Sequence, residues 1–388
     1  MIPRKNIARA VRKSISQPSY ALSNLNHRLR STLSYHFSNG KSYWPETISL
    51  FLTYSCNLRC YMCGQWGEEG VFKNYGKDIL KIRLSLKEIE TLINDVKHFK
   101  PNITLFGGEP MLYPNWIKVV ESIKSAGLRC NIISNSVLIS RWAQEMVDIG
   151  LDEIIFSLDG PEEIHDKIRR VPGTFKKSIE GFHILSDLKY KNNTNKPLIN
   201  INSTLSEISY KYIDKIISIA EDINTDGLTF HHLLFLNKDT VGNFINTFKE
   251  QFVQTPSDWL GFIVEKLPEI DIDYLIKKIH QINKNKYKTD VTFYPNLGDC
   301  EMKQWYSQFP FKATSYKNRC LSLWMTAYIF PDGSVRPYHT MNYSLGNIRK
   351  EKFTAIWNNS KYRKYRSYIK KNKNFSICSK GCTELFRY

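Results

Sequence analysis

With 388 residues, 42% hydrophobic and 13% aromatic, the chain has the length for one large domain plus a smaller one and the apolar content to fill a core. No apolar run approaches the roughly 20 residues that span a bilayer, and the opening MIPRKNIARAVRKSISQPSYALSN has no apolar h-region of a secretory signal. The 55 Lys+Arg against 37 Asp+Glu give a net charge of +18, an excess that attracts nucleic acid, anionic membrane surfaces or acidic substrates.

The first 46 residues read as a basic N-terminal arm. Arg4, Lys5, Arg9, Arg12, Lys13, Arg28, Arg30 and Lys41 precede the first acid, Glu46. A solvated arm is the plain expectation. The same composition fits an organellar transit peptide, or a weak contact with anionic lipid or RNA.

From residue 47 to 235 strand-like and helix-like segments alternate. Strands are expected over 48–56, 102–108, 129–135, 152–160, 198–205 and 227–235. Helices are expected from Ser85, which opens a Ser-x-x-Glu capping box, and over 115–126, 139–149, 174–188 and 208–221. Six βα units specify a parallel sheet with helical crossovers, an α/β partial (β/α)6 barrel whose ligands gather at the C-terminal ends of the strands. Residues 236–310 form a helical linker region with helices near 257–267 and 272–286. Residues 311–388 form a small α+β C-terminal domain. There LWMTAYIFPDGSVRPYH reads as a hairpin around Pro-Asp-Gly, followed by the basic helix KYRKYRSYIKKNKN and a Cys-bearing tail.

Three of the eight cysteines crowd into YSCNLRCYMCGQWG, as Cys56, Cys60 and Cys63. A closed structural zinc site takes four ligands, and no His lies in this loop to complete one. The C-x3-C-x2-C spacing suits an iron–sulfur cluster with each thiolate on a different iron, leaving one iron of a [4Fe–4S] cluster open. A zinc ion with a remote fourth ligand is the alternative. Cysteines crowded in this way read as ligands in an intracellular protein, so a cytoplasmic location is expected.

A C-x3-C-x2-C loop after the first strand of a βα barrel resembles the radical S-adenosylmethionine (radical SAM) superfamily. The resemblance implies a [4Fe–4S] cluster on Cys56, Cys60 and Cys63 and S-adenosylmethionine on its open iron. It implies cofactor contacts from Gly107, Gly108, Glu109 and Pro110 after the second strand, Ser134 and Asn135 after the third, and Ser157 and Asp159 after the fourth. Glu109 would accept from the cofactor's amino group, and Ser157 and Asp159 would meet ribose hydroxyls. HDKIRRVPGTF resembles the family's HD-x-x-R-G-x-x-G-x-F stretch. It places Arg169 where the cofactor carboxylate is paired and Arg170 where the family has glycine. Met62 stands where an aromatic residue often lies near adenine; a thioether fills such a gap.

The implied chemistry is reductive cleavage to a 5′-deoxyadenosyl radical that abstracts hydrogen from a peptide, sugar or other small molecule, in an oxidoreductase or maturase-like enzyme. The electron would come from a donor such as flavodoxin or ferredoxin. The tail resembles the SPASM/twitch extension of the superfamily, which implies an auxiliary cluster on Cys320, Cys378 and Cys382. Tyr338 stands where that extension has a further Cys, leaving His339, Cys300 or a substrate atom as candidate fourth ligand, or no cluster at all. Cys130 reads as a core residue, while His231 and His232 suit a pocket wall or a structural role equally. A radical SAM RNA-modifying enzyme and a non-catalytic iron–sulfur electron-transfer or scaffold protein are the alternatives; the cofactor-shaped strand ends speak against the second.

Overall fold

A computed structural model describes residues 18–388; Arg4, Lys5, Arg9, Arg12 and Lys13 of the expected arm lie outside the described residues. The βα alternation folds as expected. β1 (Thr47–Phe51), β2 (Asn102–Phe106), β3 (Arg129–Ser134), β4 (Glu153–Ser157), β5 (Leu198–Leu205) and β6 (Gly227–His232) lie side by side in chain order, all parallel. The crossovers carry α2 (Leu86–Val96), α3 (Trp116–Ser125), α4 (Ile139–Asp148), α5 (Glu162–Arg169), α6 (Thr174–Lys191) and α7 (Ile213–Asp222). Ser85 caps α2 as its sequence requires: its hydroxyl accepts from Glu88 N, and its own N–H donates to Glu88 Oε2 at 2.7 Å. The buried stripe Ile89, Leu92, Ile93 and Val96 then faces the sheet.

One sheet face is apolar and covered by helices; Ile154, Phe156, Ile199, Ile201 and Leu228 are fully buried there, and Phe156 packs on Phe182 of α6. The opposite face carries Asn131, Glu153 and Asn200 in a hydrogen-bonded ladder with Arg129, where Asn200 Nδ2 and Arg129 both donate to Glu153. A parallel sheet is buried on both faces, and here the second burial is polar.

The sheet is open and larger than six strands. Its order is β10 (Gly346–Asn347), β9 (Ser334–Arg336), β8 (Thr326–Ile329), β1 through β6, then β7 (Asp290–Tyr294). A further parallel strand, β7 (Asp290–Tyr294), follows α8 (Lys238–Phe252) and α9 (Ile272–Lys284), and α10 (Asp299–Ser307) comes next. β7 and α8 were not expected. β7 is bounded by the polar stretch KNKYKT and by Pro295, and α8 carries an interior Gly242 that weakens its helical pattern; burial of Val241, Phe244, Phe248 and Phe252 and an Asn237 cap hold it. The helix expected at 257–267 is instead a short turn, Asp258–Phe262, in a stretch bounded by Pro256 and Pro268.

The C-terminal hairpin forms as expected from β8 (Thr326–Ile329) and β9 (Ser334–Arg336), with Gly333 at φ +81° in the turn. Its first strand runs parallel to β1, in register Thr47↔Thr326 through Leu50↔Ile329. β10 (Gly346–Asn347) and the basic helix α11 (Ser360–Asn372) follow.

The expectation of a solvated N-terminal arm is corrected from residue 18 onward. Pro18–Phe37 is a helix, α1, docked through His27, Ser31 and Tyr35. His27 Nε2 bonds Phe99 O at 2.9 Å, and Arg28 is ion-paired with Glu46 at 2.6 Å. The buried face is polar and aromatic, so apolar periodicity did not announce it.

Candidate functional site

The loop after β1 is held by its own backbone. Cys63 N–H donates to Cys60 O (3.1 Å), Gly67 N–H to Cys63 O (2.8 Å), and Tyr61 N–H to Ile168 O at the end of α5 (2.8 Å). Each cysteine sulfur has a donor within reach. Leu58 N–H points at Cys56 Sγ (3.4 Å), Trp66 N–H at Cys63 Sγ (3.4 Å), and Arg169 at Cys60 Sγ (3.5 Å). Such donors stabilise sulfur-borne negative charge and tune a cluster's potential. Burial pushes the Cys56 thiol up to about 12; it raises Cys60 as well, with Arg169 acting in the opposite direction. Thiols held protonated in this way are poor nucleophiles, and a bound metal must displace their protons. Among the described residues no three Cys, His, Asp or Glu side chains converge to chelate one metal ion.

The Gly107–Pro110 turn lies directly on this loop. Gly108 N–H donates to Thr53 O (2.9 Å) and Glu109 N–H to Ser55 O (2.8 Å). A Cβ on Gly108 would stand 2.2 Å from Ser55 O, and one on Gly107, at φ +150°, 2.7 Å from Thr53 O. The glycines therefore serve backbone-on-backbone contact. Glu109 is fully buried and joins two strand ends: Oε1 accepts from Ser134 Oγ (2.9 Å) and Met111 N (3.1 Å), Oε2 from Asn135 N (2.8 Å). Burial raises it to about 7 against the opposing pull of these donors. Asn135 Nδ2 donates to Asn57 Oδ1 (2.8 Å) and stands 4.0 Å from Cys56 Sγ, which ties the β3 end to the Cys loop.

Asp159 and Arg169 meet as an ion pair, both buried. Asp159 Oδ1 also accepts from Thr204 N at 2.9 Å, so both of its oxygens are engaged. Arg169 Nε is buried without a hydrogen-bond partner. Arg170 sits at φ +58°, the left-handed region where glycine is at ease, and its guanidinium reaches Glu68 at 2.8 Å. Ser157 and Met62 are half-buried at the same end of the sheet.

The sequence reading did not single out three residues that organise this set. Asp166 accepts from Gly173 N (2.5 Å), Thr174 Oγ1 (2.6 Å) and Phe175 N (2.8 Å), fixing the turn after Arg169. His165 Nδ1 faces Asp159 N at 3.3 Å, and burial lowers this His to about 3. Thr204 supplies the Asp159 contact. The His-Asp pair in HDKIRRVPGTF was a usable signal for the first two. His232 is structural, bonded to Tyr306 OH at 2.8 Å, whereas His231 lies on the polar face beside the Tyr294 ring.

In the C-terminal region Cys320, Cys378 and Cys382 come within electrostatic range of one another and are raised by burial, Cys320 to about 11 and Cys378 to about 12. Tyr338 stacks on Trp259 and meets Thr383 Oγ1 at 3.2 Å. His339 bonds Thr340 and packs against Phe106 and Tyr328. Cys300 is exposed on α10, and Cys130 is core. A cavity of about 900 Å³ lies elsewhere, between Leu236, Phe309, Tyr316 and Lys380, and none of the cysteines lines it.

Two family profiles match the chain: the radical SAM superfamily over residues 50–209 and SPASM, an iron–sulfur cluster-binding domain, over residues 320–383. An AdoMet-dependent heme synthase of Methanosarcina barkeri is 24% identical over 341 residues, 86% of this chain and 88% of the relative. Fe-coproporphyrin III synthase of the same organism is 27% identical over 189 residues, 48% of this chain and only 44% of the relative. Among solved structures, Streptococcus suis SuiB bound to precursor peptide SuiA superposes with a TM-score of 0.61 at 14% identity, over 95% of this chain and 76% of SuiB. The AdoMet-bound anSMEcpe structure gives 0.54 at 18% identity, over 83% and 80%. At such identities the solved structures establish a shared fold.

Proposed function

Because the chain belongs to the radical SAM superfamily and carries a SPASM iron–sulfur region, we propose that it abstracts hydrogen from a peptide or small molecule brought to the C-terminal ends of β1–β6. Bound together, a [4Fe–4S] cluster and S-adenosylmethionine supply one-electron cleavage of the sulfonium and the abstraction of an unactivated hydrogen. Cys56, Cys60 and Cys63 would hold the cluster, each sulfur supported by the donor already aimed at it. Arg169, with a partnerless buried Nε, would meet the cofactor carboxylate while Asp159 holds it in place; Asp159 acts as a positioning residue. Glu109, through Ser134 and Asn135, would lock the second and third strand ends around the cofactor. The substrate would enter on the polar face near Phe106, His231 and His339.

The observation that carries this reading is the convergence of four strand-end segments on one three-cysteine loop. SuiB's bound precursor peptide supports a peptide substrate, and the heme synthase relative a small molecule. The electron would come from a flavodoxin- or ferredoxin-type donor. Eight free cysteines suit a reducing cytoplasm. Anaerobic reconstitution, reduction and quantification of 5′-deoxyadenosine test the proposal. Product is expected from the wild type and is lost in Arg169→Ala with cluster iron retained. A fully clustered wild type that makes none, with cell extract supplied as substrate source, overturns it.

A further inference from the structure

α1 is docked the wrong way round for a surface helix. Its buried face consists of His27, Ser31 and Tyr35, the last set edge-on to Trp324 at 4.8 Å. The opposite face presents Leu22, Leu25, Leu29 and Leu33 at 55–68% exposure and Phe37 at 85%. Spacings of three and four residues align these five side chains in one stripe, about 22 Å long at the helical rise. Single exposed leucines are ordinary, but a contiguous stripe marks a docking surface.

The surroundings of the stripe are cationic. No Asp or Glu occurs before Glu46, and none occurs between Glu351 and Glu384. α11 abuts the C-terminal end of α1: Lys370 Nζ donates to His36 O (3.0 Å) and Ser38 O (3.2 Å), and Gly40 lies against Arg363 O. Exposed Arg30 lies on α1 itself and exposed Lys41 just beyond it, while α11 brings exposed Arg363 and Lys371 to the C-terminal end of the apolar line. No described helix is long and apolar enough to cross a membrane. A helix with an apolar stripe and a basic border lies in the plane of an interface.

We propose that α1 seats the protein on an anionic phospholipid bilayer, leucines and Phe37 inserted and the α11 cations against the headgroups. A second copy of the chain would bring the same positive charge against itself, and nucleic acid has no use for a line of leucines.

Co-sedimentation of the full chain with phosphatidylcholine–phosphatidylglycerol vesicles, and with phosphatidylcholine alone, tests this. Binding is expected only to the mixed vesicles and weakens with salt. In L25E/L29E/L33E it falls by more than about tenfold, since insertion of the stripe is lost; in R363A/K371A it falls about thirtyfold, each cation contributing about a factor of five. Both variants should keep the wild-type melting temperature and iron content. The proposal is overturned if the wild type ignores the mixed vesicles or if the triple variant binds them undiminished. It is equally overturned by a wild-type dimer that the triple variant abolishes, or by binding to RNA or DNA fragments without binding to vesicles.

Discussion

The Arg169 guanidinium stands between a sulfur and a carboxylate: one terminal nitrogen is 3.5 Å from Cys60 Sγ, and the other is ion-paired with Asp159. The pair is buried, so removing one member leaves a charge without its counterion. Asp159→Ala is expected to cost about 3–5 kcal/mol in the apo protein. Pairing it with Arg169→Met should cost clearly less than the two single changes added together. Urea unfolding of the four proteins measures the coupling, and strict additivity would show that the two residues act independently.

Glu109 predicts a specific pH dependence. Its ordinary value of 4.5 rises to about 7 on folding, because burial disfavours the charged form. Between those values the folded protein holds a proton that the unfolded chain has released. Its contribution to stability is therefore greatest below about pH 4.5, declines as pH rises to about 7 and is level above, on the order of 3 kcal/mol in all. The stability difference between wild type and Glu109→Gln, followed by unfolding from pH 5 to about 8, should move in wild type's disfavour. A flat difference would contradict this origin.

Two glycines should respond in opposite directions. Gly108→Ala drives a Cβ to 2.2 Å from the Ser55 carbonyl oxygen, and moving backbone away costs about 1–3 kcal/mol. It should also loosen cluster binding, since the displaced segment leads into Cys56. Gly242→Ala, in the interior of α8 with nothing within 4 Å, should stabilise by about 0.5–1 kcal/mol. Melting temperatures of the two variants decide.

Iron counting separates the two cysteine sets. Cys56→Ala/Cys60→Ala/Cys63→Ala should lose about four irons and all S-adenosylmethionine cleavage. The iron that remains should disappear when Cys320, Cys378 and Cys382 are also changed to Ala. If the first triple variant already contains none, the C-terminal thiols hold no cluster by themselves.

What could be read from the chain beforehand was what local pattern controls. The six parallel strands are short apolar runs flanked by glycines and helix caps such as Ser85–Glu88, so their number and order were legible. The strand-end motifs were legible too, because each is contiguous. The Asp159–Arg169 pair was not, since both residues had been matched separately to a cofactor. Their meeting is set by α5, whose last residue is Arg169, while the β4–β5 register, Ser157↔Asn202, brings up Thr204. β7 follows a lysine- and asparagine-rich stretch and ends at Pro295, so it does not stand out, and Gly242 masks α8. α1 reads as a solvated arm, because the face that docks carries His27, Ser31 and Tyr35 while the leucines turn outward. The hairpin at 326–336 was visible, but its pairing with β1 joins residues far apart in sequence.

That last pairing governs the order in which the molecule can be completed. β1 lies between β2 and β8, and its second neighbour leaves the ribosome only when residues 326–329 have been made. At ordinary synthesis rates the nascent chain waits some tens of seconds with one margin of β1 unpaired. For that interval the strand that leads into the three-cysteine loop is an open edge, the kind that recruits stray strands. A chain stopped before residue 326 would keep that edge permanently.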